Sequence, residues 1–230
     1  MIFAISDLHL SLNNDKPMHI FGENWQNHER KLKDNWLKIV GDNDTVIIPG
    51  DLSWALTLDE AILDFKFIDK LPGKKIISKG NHDYFWSTAK KIKDFFRDNN
   101  IKTIDLLHNN AFLIENKVIC GTKGYLFDQS ESKEQNNKLM LREAARLEMS
   151  IKEGLKFDCP DIRVFLHYPP VFKGESEQIM DILIKYNIKY CYFGHIHGSG
   201  ISGAIQGDYK GVMLKMISAD YLNFTPIPIN

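Results

Sequence analysis

Cysteine is scarce in this sequence. Cys120, Cys159 and Cys191 are its three, an odd number with no Cys-x-x-Cys spacing. That excludes a disulfide-stapled scaffold and a cysteine-based zinc module. The expectation is buried, reduced thiols in a reducing compartment. Long apolar runs are missing as well. Nothing approaches the roughly 20 apolar residues that span a bilayer, and Met-Ile-Phe-Ala-Ile-Ser runs straight into Asp7 with no basic leader. A cytoplasmic protein without membrane contact is expected. Charge of one sign is also lacking. The formal net charge is -1, so the whole-chain field attracts neither nucleic acid nor an anionic membrane surface, although a local basic patch is still allowed. No internal repeat and no low-complexity linker divides the chain. The polar stretch from Asp128 to Lys138 is too short to be a domain boundary. One domain over residues 1–230 is expected.

What is present reads as α/β. Hydrophobic residues make up 43% and charged residues 26%, ordinary globular usage. Strand-like runs are Ile2–Ser6, Thr45–Pro49, Lys75–Ser78, Phe112–Ile114, Val118–Cys120, Ile162–Leu166, Lys189–Phe193 and Val212–Ile217. Their β-branched and aromatic content suits buried strands. Helical stripes lie between them. Trp25, Leu32, Trp36, Ile39 and Val40 form one. Thr57 with Glu60 reads as a capping box before Ala61, Ile62, Phe65 and Ile68. Ser132 with Gln135 reads as another before Met140, Ala144, Leu147 and Ile151. Ile179, Ile182, Leu183 and Tyr186 mark a further helix.

Five polar motifs each follow a strand-like run: Asp7-Leu8-His9, Gly50-Asp51, Gly80-Asn81-His82-Asp83, His167, and Gly194-His195-Ile196-His197. Ligands of open α/β sheets bind beyond the carboxyl ends of the strands. Parallel neighbouring strands would therefore gather all five motifs at one edge. Asp7, Asp51 and Asn81 offer oxygen; His9, His167, His195 and His197 offer nitrogen. Seven ligands exceed one tetrahedral site. They suit two ions roughly 3.5–4 Å apart that share a carboxylate. Asp51 is the natural bridge, because its charge offsets the repulsion between two dications.

The ordered set resembles the calcineurin-like metallophosphoesterases, whose pattern is Asp-x-His, Gly-Asp, Gly-Asn-His-Asp/Glu, His and Gly-His-x-His. The resemblance runs from Asp7 to His197. It implies a four-layer αββα sandwich, with two packed mixed sheets flanked by helices, and a dinuclear centre. One metal would take Asp7, His9, Asp51 and His197; the other would take Asp51, Asn81, His167 and His195. His82 matches the family's catalytic histidine and is not a ligand. Two divalent transition ions are implied, manganese first, with iron or zinc as the alternatives, since mixed oxygen and imidazole ligation disfavours magnesium and calcium. The ions would lower the pKa of a shared water from about 16 towards about 7, and the hydroxide, bridging at Asp51, would attack phosphorus in line. His82 would protonate the leaving oxygen or stabilise its developing charge.

Departures from the family narrow the substrate. Protein phosphatases of the superfamily carry Gly-Asp-x-x-Asp-Arg-Gly, whereas Gly50-Asp51-Leu52-Ser53-Trp54-Ala55 has neither the second Asp nor the Arg. The lipid-A pathway pyrophosphatases carry Arg where this chain has His82. The resemblance is best to small, uncharacterised bacterial phosphohydrolases, with a phosphodiester or small-molecule ester preferred over a phosphoprotein. A phosphomonoesterase and a non-catalytic interaction scaffold are the alternatives. Trp54, Tyr84, Phe85, Trp86 and Tyr168 are read as packing around the metal shell, with stacking on substrate as the other use. His28 is read as a surface residue. Asp83 is read either as a partner for a ligand histidine or as a turn residue. The Lys90, Lys91, Lys93 and Arg97 group is the wet face of an amphipathic helix, with Ile92, Phe95 and Phe96 behind it. It is not a nucleic-acid patch.

Overall fold

The computed structural model describes residues 1–13, 16–172 and 177–229. Chain order is β1 (Ile2–Ala4), α1 (His28–Ile39), β2 (Thr45–Pro49), α2 (Ile62–Asp69), β3 (Lys74–Ser78), α3 (Ala89–Asp98), β4 (Ile104–Leu106), β5 (Phe112–Ile114), β6 (Lys117–Thr122), α4 (Lys133–Gly154), β7 (Ile162–Leu166), α5 (Glu177–Lys185), β8 (Tyr190–Phe193), β9 (Gly207–Tyr209), β10 (Val212–Met216) and β11 (Ile227–Pro228). Two mixed sheets result. The first runs β11-β1-β2-β3-β4, parallel except for β11. The second runs β5-β6-β7-β8-β10-β9, with a parallel centre and antiparallel edges.

The period-2 alternation of each strand explains the layering. In β2, Ile47 faces the second sheet while Val46 and Ile48 face the helices. In β7, Phe165 points inward and Val164 and Leu166 point outward. Phe165 stacks on Tyr192 between the sheets at 4.9 Å. Leu32, Trp36, Phe65, Ile68, Ile92 and Phe96 from α1, α2 and α3 cover the first sheet. Met140, Leu147 and Ile151 of α4, with Ile179 and Leu183 of α5, cover the second. Each such buried side chain stabilises by roughly 1.5–3 kcal/mol before entropic costs. The expected αββα order is therefore present.

Local readings fared unevenly. Ser132 Oγ accepts from the Gln135 amide at 3.1 Å and caps α4. The Thr57–Glu60 box does not form in full. Thr57 Oγ1 accepts from Glu60 N, but the Glu60 carboxylate takes the Leu56 amide, and α2 begins only at Ile62. Trp25 belongs to a separate 3₁₀ turn, because Asn27 takes a left-handed conformation and breaks the stripe. Val40 lies past the end of α1, and Ile39 is exposed. Short β4, β9 and β11 were not among the predicted strands. Ile92 and Phe96 are buried under α3, as its amphipathic reading requires.

The thiols differ from expectation at one position. Cys120 and Cys191 are buried and Cys159 is partly exposed. Burial pushes the Cys120 thiol up to about 12 and raises Cys191 as well. Since the thiolate is the reactive form, one thiol should react rapidly with an aromatic disulfide reagent in the native protein, and all three after denaturation. Fast reaction of more than one native thiol would contradict this packing.

Candidate metal centre

The parallel strands β1, β2, β3, β7 and β8 end together, and their loops carry the five motifs to one edge of the sandwich. Asp7, His9, Asp51 and His195 all have positive φ (61°, 46°, 51° and 69°). Left-handed backbone is uncommon for such residues, and its clustering marks a site whose surroundings hold the strain. Glycine is required where two motifs touch. A Cβ on Gly80 would run into the Asp51 carboxylate, and one on Gly194 into that of Asp7.

Two groups of ligand atoms result. Asp7, His9 and His197 each place one within 4.8 Å of the others, and so do Asp51, His167 and His195. The groups adjoin at Asp51, whose Oδ2 lies 3.7 Å from His9 Nε2 and 3.4 Å from His167 Nε2. Asn81 Oδ1 lies 2.6 Å from His167 Nε2. Asp7 accepts the His195 amide at 3.0 Å and faces His197 Nε2 at 3.4 Å. The His82 amide donates to Asp51 Oδ1 at 2.8 Å, and its ring lies 5.7 Å from that of His9. All eight residues singled out in the sequence are thus brought together.

The electrostatics fit divalent cations. Burial, then the carboxylates of Asp83 and Asp7, push the Asp51 pKa up. Burial opposes the Asp7 carboxylate as well, but the imidazoles of His197, His167 and His9 outweigh it and lower its pKa. Burial depresses His9 and His167, and holds His195 at about 4. These rings are neutral at pH 7, the ligating form. His197 behaves otherwise: burial opposes its charge, but Asp7 and Asp220 raise it to about 10. Its Nδ1 is held by Asp220 at 2.8 Å, while its buried Nε2 has no hydrogen-bond partner and is turned towards Asp7. An unpartnered imidazole nitrogen aimed at a buried carboxylate, amid mutually repelling carboxylates, is what a cation position requires.

The chain matches the calcineurin-like phosphoesterase profile over residues 1–199. The chain belongs to the calcineurin-like phosphoesterase family. Membership carries metal-dependent phosphoester hydrolysis, with divalent ions and small phosphate-ester substrates, and the two ligand groups are candidate positions for those ions. Solved structures share the fold. A protein of unknown function from Aquifex aeolicus is 18% identical with TM-score 0.57, over 99% of this chain and 94% of that one. A Thermus thermophilus protein is 13% identical with TM-score 0.52, over 85% and 81%. A phosphopantetheinyl hydrolase from Mycobacterium tuberculosis is 15% identical with TM-score 0.53, over 94% and 88%. No curated protein matches the chain. Among the described residues, no helix of this calcineurin-like phosphoesterase is long and apolar enough to cross a membrane.

Two acidic residues support the site in ways the sequence reading missed. Asp220 orients His197 and also accepts the Gly198 amide at 3.2 Å. It follows β10 as the motif residues follow their own strands, and that signal could have found it. Asp83 contacts no ligand histidine. It is fully buried and accepts the amides of Gly80, Asp51, Leu52 and Ser53 at 2.7–3.3 Å, fixing the Asp51 loop. His28 is buried, not at the surface; its Nε2 lies 3.3 Å from the His9 carbonyl. The aromatics divide. Phe85 is core and Tyr84 is exposed. Trp86 packs against the first-sheet core. Trp54 stacks on His9 at 4.9 Å, and the Tyr168 ring lies 4.2 Å from that of His195.

Proposed function

We propose that the chain is a dinuclear phosphohydrolase of small phosphate esters, with diesters preferred, and that manganese is its metal. Asp7, His9, Asp51 and His197 hold one ion, and Asp51, Asn81, His167 and His195 hold the other. The observation that carries this reading is the place of Asp51 Oδ2 between the two groups, 3.7 Å from His9 and 3.4 Å from His167. Two dications bound there would supply a hydroxide at neutral pH and would offset charge on the phosphoryl oxygens. Asp83 keeps Asp51 in register, Asp220 turns His197 Nε2 inward, and His82 faces the leaving group.

The leaving-group side supports a small substrate. A cavity of about 330 Å³ adjoins His82 and is walled by Met18, Phe21, Trp25 and Trp54. That is the size of a small-ligand pocket, and its aromatic wall suits a planar or apolar group. Lys16 Nζ sits 3.5 Å over the centroid of the Trp54 ring. The phosphopantetheinyl hydrolase among the structural neighbours is also named for a small phosphate-bearing group.

The test is hydrolysis of bis(p-nitrophenyl) phosphate and p-nitrophenyl phosphate with and without manganese, alongside elemental analysis. The expected result is two ions per chain, a higher kcat/KM for the diester, and loss of activity on chelation with recovery on adding metal. A single tetrahedral ion would remove the bridging role of Asp51. Faster hydrolysis of the monoester would make the chain a phosphomonoesterase.

A further inference from the structure

A second cavity, of about 210 Å³, opens beyond the ends of β3 and β6, away from the aromatic pocket. Lys79, Lys123, Arg142 and Arg146 line it, as does His108. These cations come from three separate elements. Lys79 follows β3 and immediately precedes Gly80-Asn81. Lys123 follows β6, and its carbonyl accepts the Tyr168 amide at 2.9 Å, next to His167. Arg142 and Arg146 stand one turn apart on α4, an arrangement that is repulsive without an intervening anion.

The carboxylate facing this group is Glu143, fully buried beneath the arginines. Its Oε1 receives Arg146 at 2.9 Å and lies 3.4 Å from Arg142, and its Oε2 accepts from Thr122 Oγ1 at 2.8 Å. Its single negative charge offsets one of the four cations. Among the described residues, Lys79 and Lys123 form no ion pair. The pKa of Lys123 is lowered, by burial first, while Lys79, Arg142 and Arg146 add repulsion and Glu143 partly offsets it. Excess positive charge in a small recess with two guanidinium forks suits a tetrahedral oxyanion.

Its position gives the recess a role. Lys123 Nζ lies 5.5 Å from the Tyr168 ring, and that ring also lies 4.2 Å from that of His195 and 5.1 Å from that of His167. One side chain therefore separates the recess from the candidate metal centre. We propose that it binds a second phosphate group of the substrate, so that the natural ester is a small molecule carrying two phosphates, one cleaved at the metal centre and one held by Lys79, Lys123, Arg142 and Arg146. This rests on the phosphoesterase reading above and names its substrate class.

The test compares nitrophenyl esters with one phosphate (thymidine 5′-nitrophenyl phosphate) and with two: the 3′-phosphorylated form and the corresponding 5′-diphosphate ester. Manganese-loaded enzyme should prefer at least one of the latter, chiefly through a lower KM. Lys79→Gln, which leaves the Glu143 pairs intact, should reduce that preference about ten-fold, the loss of one charge-assisted contact. Arg142→Gln should do the same. No preference for two phosphates, or a preference untouched by both variants, overturns the proposal. So does a preference shown only by single-stranded oligonucleotides, which would make the recess a polymer contact. Failure to hydrolyse any of the esters would instead remove the phosphoesterase reading itself.

Discussion

Asp51→Asn should deplete both metal positions and lower kcat/KM by roughly three orders of magnitude, the upper scale for losing one preorganised electrostatic group. The substitution keeps the shape and removes the charge. An amide in place of Oδ2 would also turn an N–H towards a dication or a ligand histidine. The fold should survive, because Asp83 holds the amides of residues 51–53 through main-chain bonds that do not involve the Asp51 side chain. Metal-free stability should move the other way. The Asp51 pKa is raised in the folded chain by burial and by Asp83 and Asp7, so its ionised form costs stability as pH rises above its ordinary value of 3.8. The Asn variant escapes that cost and should melt higher than wild type when both are metal-free at pH 7. Activity above a tenth of wild type, measured with metal content, would place the bridge elsewhere. A lower metal-free Tm would show that the buried Asp51 charge does not cost stability.

His82→Gln separates proton donation from metal binding. Nitrophenolate departs as a stable anion, while an alkyl or nucleoside alkoxide needs a proton. A general acid contributes about 10²–10⁴-fold, and only where that proton is needed. The variant should keep both metals and slow alkyl esters far more than nitrophenyl esters. His195→Ala should slow all of them. The His82 environment sharpens the expectation: burial and then Lys16 lower its pKa, with Asp7 acting in the opposite direction. The protonated fraction therefore falls as pH rises towards neutrality, and wild-type turnover of alkyl esters should decline over that range more than turnover of nitrophenyl esters. Equal slowing of both ester classes with metals retained would make His82 a stabiliser of phosphoryl charge. Loss of metal would place it among the ligands.

The site was legible where chemistry and secondary structure coincide. Each motif begins one to three residues past a strand that is buried on both faces, and such strands read as continuous apolar runs whatever packs on them. The strand-end rule then brings Asp7 and His197 together without any knowledge of the contacts between. Elements whose identity depends on a neighbour were not legible. β4 is Ile-Asp-Leu, three residues that are a strand because β3 lies beside them. Trp25 has the right spacing for α1 and is excluded by a left-handed Asn27, which periodicity does not register. Asp83 was read as a partner for a ligand histidine or as a turn residue, and its hold on the Asp51 loop was missed because the amides of Asp51, Leu52 and Ser53 lie about thirty positions upstream.

The sequence by itself determined the class of chemistry, because ligand atoms are a property of residue type, and the layer order, because side-chain periodicity is local. Only the tertiary structure decided which atoms meet. Asp220 reaches His197 because β10 pairs with β8 in parallel and their ends coincide. Lys79, Lys123, Arg142 and Arg146 are scattered along a chain whose formal net charge is -1. They become one cationic recess only when α4 packs over β6 beside the end of β3. Charge sums over a sequence, but electrostatic potential depends on distance, and distance is set by the fold.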